Sequence, residues 1–227
     1  MSALTSNEPS NFVESRYLAP MAAMTPPARP ALRARYEQRQ REVVAAAAKL
    51  FAENGYQATS IADLTAATGL AAGGLYHYIG SKEKLLLAIC NDLLDPLLEQ
   101  AGEIVEAATP PEDQLRQLLR AWLVHIEAHR HHMLVFAQER HVIERDPQWR
   151  RLRSRRKAFE QILDDVLARG EAEGTMSFAD RGLTLLALLG MVNYTPQWLR
   201  PRGRLSAEQI ADGYCDLLLD AAGSGRA

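Results

Sequence analysis

The sequence is poor in cysteine, and this scarcity narrows the classes of protein that it can form. Its two cysteines, Cys90 and Cys215, lie far apart in the chain. Two widely spaced cysteines in a long chain do not form the dense framework of a small disulfide-stapled domain. The first residues include Glu8 and Glu14, where a secretory signal would need a basic start and an apolar run. We therefore expect a cytoplasmic protein with free thiols.

The sequence also lacks long apolar runs and a large excess of one charge. The most apolar segment, 183–192, includes Thr184 and Gly190 and is about half the length of the roughly 20 residues that span a membrane. No membrane partner is expected. The formal net charge is −2, so no overall basicity attracts nucleic acid, and any such binding must be local.

β-Branched residues are scarce, whereas helix-forming residues are abundant. Valine and isoleucine number 9 and 8, against 32 leucines and 35 alanines, and this balance favours helices over strands. Hydrophobic residues make up 47% of the chain, which is enough for one or two domains with a sizeable core. The predicted fold class is all-α.

Capping signals and apolar periodicity divide the chain into about nine helices. Residues 1–30 contain five prolines without sustained periodicity, so they are predicted to form a mobile arm. The first four predicted helices are 31–53, a short helix between Ser60 and Gly69, 72–78, and a helix from Ser81 toward Ala107 that Pro96 should kink. The other five are about 112–128, 132–142, 147–173, 180–198 and 206–222.

The second and third helices are short and joined by a tight turn at Gly69, behind a longer first helix. This is the arrangement of a helix-turn-helix, in which one helix crosses the phosphate backbone and the next fits the major groove. The predicted domains are therefore a helix-turn-helix unit at 31–86 and a second helical unit at 87–222, with a tail at 223–227.

The residues of this motif carry a more specific pattern. It comprises Leu50-Phe51, Gly55-Tyr56, Ala58-Thr59-Ser60-Ile61, Gly69, Gly74-Leu75-Tyr76-His77-Tyr78 and Ser81-Lys82-Glu83-Lys84-Leu85. Over about 41–87 the sequence resembles the tetracycline-repressor (TetR) family of bacterial transcription regulators. The resemblance implies a homodimer that binds a palindromic double-stranded operator through its N-terminal helices and holds a small effector in its C-terminal domain.

The resemblance also implies a set of DNA-contacting residues. Tyr76, His77 and Lys82 would contact phosphates, and Thr59 and Ser60 would hold another at the start of the second helix. Ala71, Ala72 and Gly73 occupy the positions that face base edges. Since these three residues lack side-chain donors, discrimination between DNA sequences would depend on contacts with thymine methyls, on neighbouring residues and on DNA deformability.

The C-terminal unit contains a helix that is apolar nearly all round, at 183–192. Such a helix must be buried on more than one side, which favours a dimer, although a central helix of a monomer stays possible. The sequence predicts a dimer interface on Leu185, Leu189, Val192, Tyr214 and Leu218.

The effector site is less determined by the sequence. Arg156 interrupts an apolar stripe that includes Phe159, and a buried cation needs a partner, either a bound anion or a carboxylate such as Glu139 or Glu144. The stretch 193–206 is similar to the branch of the family that regulates acyl-CoA metabolism, which suggests an acyl-CoA-like ligand. The candidate ligand residues are Trp122, Arg156, Phe159, Tyr194 and Trp198.

A histidine-rich segment raises the alternative of a metal-dependent enzyme. His125 and His129 are spaced i, i+4, but Ile126 stands where the metalloprotease motif needs glutamate. The sequence also lacks a P-loop, a dinucleotide glycine motif and a Ser-His-Asp context, so no enzyme activity, cofactor or metal is expected. The leading hypothesis is a ligand-responsive repressor. An activator of the same architecture is the near alternative, and a helical enzyme or a sequence-neutral DNA protein is less favoured.

Overall fold

The computed structural model describes residues 29–140, 149–200 and 202–223, excluding the side chains of 220–223. This part of the chain is all-α. Its nine helices are α1 (Pro30–Asn54), α2 (Ile61–Thr68), α3 (Ala72–Ile79), α4 (Lys82–Glu106), α5 (Pro111–Ala128), α6 (Arg130–Gln138), α7 (Arg150–Glu173), α8 (Arg181–Trp198) and α9 (Ala207–Gly223). Outside the described residues lie 1–28 of the predicted mobile arm, the end of the predicted helix 132–142, Glu144, the start of the predicted helix 147–173 and 224–227 of the predicted tail.

Local signals set the boundaries of the first helices. Gly69 ends α2 with a φ of 67°, a left-handed conformation that side chains disfavour. Ser60 and Asp63 form a capping box at the start of α2, and the hydroxyl of Ser81 accepts a hydrogen bond from the backbone N–H of Lys84 at the start of α4. The fourth helix continues through Pro96 as one element.

The described residues bury two hydrophobic clusters. The N-terminal cluster packs α1–α4 together with parts of α6 and α7 and includes Phe51, Leu64 and Leu75. The C-terminal cluster packs the second half of α4 with α5–α9. Because α4 contributes residues to both, it joins the two parts of the molecule. In the described residues, no helix is both long and apolar enough to cross a membrane.

Candidate nucleic-acid interface and ligand cavity

The exposed surface of α3 presents small residues. Ala71, Ala72 and Gly73 are all exposed, and Ala71 caps the helix without a side-chain hydrogen bond. The opposite face of α3 is fixed, because Leu75 and Ile79 are buried in the N-terminal cluster. The residues predicted to face base edges are thus brought together on one open surface.

Tyr76 and His77 lie further along the same helix and are half-buried. The His77 ring stands edge-on to the ring of Tyr36, with centroids 5.3 Å apart, and to that of Tyr78, at 5.0 Å. These contacts restrict the orientation of the imidazole. The sequence alone does not decide whether Tyr78 packs in the core or contacts a phosphate. In the structure Tyr78 is half-buried, and its ring packs on that of Tyr36 with centroids 5.1 Å apart.

Lys82 is held above the turn between α1 and α2. Its Nζ lies 4.5 Å from the centroid of the Tyr56 ring and donates a hydrogen bond to the Gln57 carbonyl at 3.4 Å. Partial burial lowers the pKa of Lys82, opposed by the negative charges of Glu83 and Glu139. Tyr56 is itself buried against Phe51, so an aromatic platform holds the ammonium group in place.

The two hydroxyl residues before α2, Thr59 and Ser60, differ in their exposure. Ser60 is exposed, but its hydroxyl and backbone N–H both donate to the Asp63 carboxylate, which lowers the pKa of Asp63. Thr59 is only 1% exposed, and its hydroxyl donates to the Gly55 carbonyl at 2.8 Å. This hydroxyl therefore closes the preceding turn, and a phosphate contact by Thr59 stays a prediction.

A cavity of about 420 Å³ lies within the C-terminal part of the molecule. Three candidate ligand residues, Trp122, Arg156 and Phe159, line it, and the Trp122 and Phe159 rings meet edge-on with centroids 4.8 Å apart. Sequence patterning misses the other lining residues because they are spread over α4, α6, α7 and α8 and the position of Arg140, just after α6. These are Leu93, Leu94, Leu97, Met133, Phe136, Ala137, Arg140, Glu160, Leu186, Leu189, Gly190 and Asn193.

Arg156 has a different carboxylate neighbour from those expected. Its Nε lies 3.5 Å from Glu160, one turn further along α7, and both residues line the cavity. Glu139 instead accepts a hydrogen bond from the backbone N–H of Tyr56 at 3.3 Å. Glu160 is thus one carboxylate neighbour of Arg156, whereas Glu144 lies outside the described residues.

The remaining two candidate ligand residues, Tyr194 and Trp198, do not line this cavity. They are 66% and 45% exposed and lie on α8. Both belong instead to a set of exposed large apolar side chains on α8 and α9, which we call the outer apolar face. Its members are Leu183, Leu186, Tyr194, Trp198 and Leu217.

The predicted dimer residues are less exposed than the outer apolar face. Val192 is fully buried in the chain's own core, and its place in a dimer interface stays a prediction. Leu189 lines the cavity, and Leu185, Tyr214 and Leu218 are half-buried against the same core. Because α8 is apolar all round, its sequence contains no polar stripe to indicate which side faces inward.

The histidines make contacts within the protein. His125 bonds through Nε2 to the Leu93 carbonyl at 3.0 Å, and its ring stacks on His129 at 4.1 Å. Burial, followed by the charge of His129, lowers the pKa of His125 to about 4. Burial also lowers the pKa of His132 to about 4. In the described part of the chain, no three His, Cys, Asp or Glu residues are grouped so that they could hold a metal ion.

A helix-turn-helix with an exposed second helix, joined through a shared helix to a separate helical core with a cavity, is the architecture of a ligand-binding DNA regulator. The model for "Bacterial regulatory proteins, tetR family" matches residues 43–89, and that for "Tetracyclin repressor-like, C-terminal domain" matches residues 108–222. The chain belongs to the tetracycline-repressor family of bacterial transcription regulators.

Individual relatives cover most of the chain. It is 32% identical over 183 residues to the HTH-type transcriptional repressor KstR2 of Mycolicibacterium smegmatis, covering 80% of this chain and 89% of that protein. The regulator PfmR from Thermus thermophilus is 34% identical, with a TM-score of 0.70 over 78% of this chain and 97% of its own. AibR in complex with isovaleryl coenzyme A and operator DNA is 29% identical, with a TM-score of 0.69 over 80% and 98%.

Proposed function

We propose that the protein is a homodimeric repressor that performs no chemistry and leaves its operator when an acyl-CoA-like ligand fills the cavity. The observation that carries this proposal is an apolar cavity in a molecule that also exposes α3, the proposed reading helix. Helix α4 lines the cavity and also packs in the N-terminal cluster that supports α3. The names of two relatives support it, since one is called a repressor and another is described with isovaleryl coenzyme A and operator DNA. Because its target is DNA, we place its action in the cytoplasm.

The DNA-binding surface of this proposal comprises Ala71, Ala72 and Gly73 at base edges, with Tyr76, His77 and Lys82 at phosphates. Ser60 would contribute at the start of α2. The hydroxyl and the backbone N–H of Ser60 already donate to the Asp63 carboxylate. Ser60 would therefore contribute least to DNA binding among the residues of this surface. Arg33 and Arg39 form ion pairs with Glu37 and Glu42 of the same helix, both at 2.8 Å, which supports a solvated face for that part of α1.

The outer apolar face would pair with its two-fold mate. Exposed apolar patches of this kind mark interaction surfaces, and a two-fold pair presents two reading helices to the two half-sites of a palindrome. We therefore assign the dimer interface to Leu183, Leu186 and Leu217, together with Tyr194 and Trp198.

The cavity matches an acyl group better than a whole coenzyme. Its volume of about 420 Å³ falls at the small end of the range for ligand pockets, and apolar side chains dominate its lining. Arg140 and Arg156 add cationic groups to the same lining. An apolar tail would enter between the helices, and an anionic group such as a coenzyme A phosphate would meet these arginines.

Three elements connect the cavity to the DNA-binding part, and one of them is α7, since Phe159 lines the cavity and Leu152 belongs to the N-terminal cluster. The second is α4, where Leu97 lines the cavity and belongs to the C-terminal cluster, while Leu94 lines it and belongs to the N-terminal cluster. The third is α6, where Phe136 lines the cavity and packs against both clusters. A ligand that prefers one arrangement of these helices would change the spacing of the two reading helices and lower operator affinity.

The test uses a duplex selected from a random library by the wild-type protein. Its affinity for the protein is measured by fluorescence anisotropy without ligand, with isovaleryl coenzyme A, with longer-chain acyl-CoA thioesters and with coenzyme A alone. We expect at least one thioester to lower operator affinity tenfold or more, while coenzyme A alone has a smaller effect. Equal affinity under all conditions would remove the ligand-responsive part of the proposal.

A further inference from the structure

The N-terminal half of α1 contacts the carboxyl ends of the two helices in the helix-turn-helix. The helix begins at Pro30, whereas the family's DNA-binding segment is matched only from residue 43 onward. Residues 30–42 are therefore an extension of α1 that precedes the matched segment. Three side chains of this extension donate hydrogen bonds to backbone carbonyls of α2 and α3.

The carbonyls involved are among those that a helix cannot satisfy internally, because its last four carbonyls have no later N–H within the helix. In α3 these belong to residues 76–79. The Tyr76 carbonyl accepts from the Gly80 N–H at 2.8 Å, and that of Ile79 accepts from the Ser81 N–H at 2.8 Å. The two that remain belong to His77 and Tyr78.

Both remaining carbonyls are bound by the α1 extension. The Tyr36 hydroxyl donates to the His77 carbonyl at 3.2 Å, and the Gln40 side-chain amide donates to the Tyr78 carbonyl at 3.0 Å. On the neighbouring helix, the Arg39 guanidinium donates to the Thr68 carbonyl at 2.9 Å. The extension thereby holds α3 at two successive backbone positions and α2 at a third.

Tyr36 makes a second kind of contact with the same residue. It is a buried side chain, 7% exposed, and its ring packs edge-on against the His77 imidazole. Burial, followed by the charge of Tyr78, raises the pKa of Tyr36, which keeps its hydroxyl protonated and able to donate. Tyr36 thus restrains both the backbone and the side chain of His77.

We propose that Tyr36 and Gln40 are positioning residues that set the depth and rotation of α3 in the major groove. This inference rests on the proposed function, since it assumes that α3 is the reading helix. Its physical basis is the small size of the residues that α3 presents. Ala71, Ala72 and Gly73 have no long side chain that could adjust to a displaced helix, so their contacts with base edges depend on where the backbone lies.

The variants that test the proposal remove one donor each. Tyr36→Phe deletes the hydroxyl and keeps the ring, and Gln40→Met deletes the amide and keeps the side-chain length. Gln38→Met is the matched control, because Gln38 lies on the same helix but donates to Glu42 within α1, at 3.2 Å. Each variant is assayed at one salt concentration against the duplex selected by the wild type and against random duplex, and its thermal unfolding midpoint is recorded.

We expect Tyr36→Phe and Gln40→Met each to lower the ratio of operator affinity to random-DNA affinity roughly three- to tenfold, the effect of losing one hydrogen bond. Gln38→Met should leave the ratio unchanged. An unchanged ratio in both test variants overturns the proposal. So does a parallel loss of affinity for both DNAs with a lowered unfolding midpoint, since that is the signature of a purely structural role. If the wild type selects no duplex at all, the proposed function fails first and the inference with it.

Discussion

At the scale of single residues, the surface of α3 is unusual in having two adjacent glycines inside a short helix. A Cβ added at Gly73 would meet no heavy atom within 4 Å, and one at Gly74 would meet only the Leu70 side chain at 3.9 Å. Packing within the protein therefore does not require either glycine. Glycine nevertheless destabilises a helix relative to alanine, so a close approach of DNA to Gly73 supplies a reason for its presence.

Gly73→Ala and Gly74→Ala separate the effect of glycine on helix stability from its effect on DNA binding. Each change should raise the free energy of unfolding by up to about 1 kcal/mol, because alanine loses less backbone entropy on forming a helix. Only Gly73→Ala should weaken operator binding, because Gly73 is exposed on the proposed reading face while Gly74 is half-buried. Denaturant titration and fluorescence anisotropy measure the two effects. Full operator affinity in Gly73→Ala would contradict this role.

His132 connects stability to pH. Its pKa in the folded protein is lowered to about 4, against about 6.5 in an unfolded chain. The unfolded state therefore binds protons first as the pH falls, so stability is retained above pH ~6.5 and is lost progressively between pH ~6.5 and ~4. His125 contributes with the same sign, since its pKa is also about 4. Asp92, whose pKa burial raises, contributes with the opposite sign.

The variant His132→Leu isolates this contribution. Leucine occupies a similar buried site without titrating, so the variant should lose less stability than the wild type between pH 7 and pH 4.5. The unfolding midpoint, measured across this range for both proteins, gives the comparison. Parallel curves for the two proteins would show that His132 is not responsible for the acid sensitivity.

At the scale of helices, α6 makes contacts that no local pattern predicts. Glu139, at its C-terminal end, is 83 residues from Tyr56 in the sequence and accepts a hydrogen bond from its backbone N–H. The Gln138 amide donates to the Ala52 carbonyl at 3.3 Å. These contacts join the cavity-lining helix to the last turn of α1 and to the following turn, which carries Tyr56. Lys82 lies above that turn.

Glu139→Ala tests whether this connection transmits ligand binding. The variant removes the acceptor of a buried N–H group, which should destabilise the fold by about 1–3 kcal/mol and reduce the effect of acyl-CoA on operator affinity. Direct acyl-CoA binding, measured by calorimetry, should be retained because Glu139 does not line the cavity. Glu139→Gln keeps an oxygen acceptor and serves as the control. An undiminished ligand effect in Glu139→Ala would show that this hydrogen bond does not transmit ligand binding.

Helix boundaries are more predictable from this sequence than helix orientations. Ser60, Gly69 and Ser81 act through their own backbone neighbours, so the sequence predicts α2, α3 and the start of α4 closely. The orientation of α8 depends on which of its apolar sides meets α5, α6, α7 and α9. This is why the pattern does not distinguish Val192, which is buried, from Leu183, which is exposed, although it predicts the helix itself.

At the scale of the whole molecule, the all-α class and the family follow from composition and from one continuous motif. The cavity does not, because it forms where α4–α8 meet, and its residues are scattered from Leu93 to Asn193. Trp122 and Phe159 are predictable because each lies on the apolar stripe of its own helix. The burial of Thr59 is not, because it depends on the carbonyl of Gly55 in the preceding turn.

The dimer that we propose depends on the outer apolar face. Leu183→Arg and Leu217→Arg place charges on side chains that are 66% and 64% exposed in the single chain, so folding should be little affected while pairing is opposed. We expect each variant to sediment as a monomer and to lose operator affinity. Val124→Arg, at an exposed apolar residue of α5, is the control and should remain dimeric. Dimeric Leu183→Arg and Leu217→Arg would place the interface elsewhere.

The central claim is that two copies of α3, related by a two-fold axis, enter the major groove of one duplex. Hydroxyl-radical footprinting on the selected duplex, combined with methylation protection of major-groove guanines, tests this claim most directly. We expect two protected half-sites with centres one helical turn apart, roughly 34–36 Å, or a multiple of that spacing, with the major-groove protection abolished by the two interface variants. Uniform weak protection along the duplex, or a single protected patch, would contradict it.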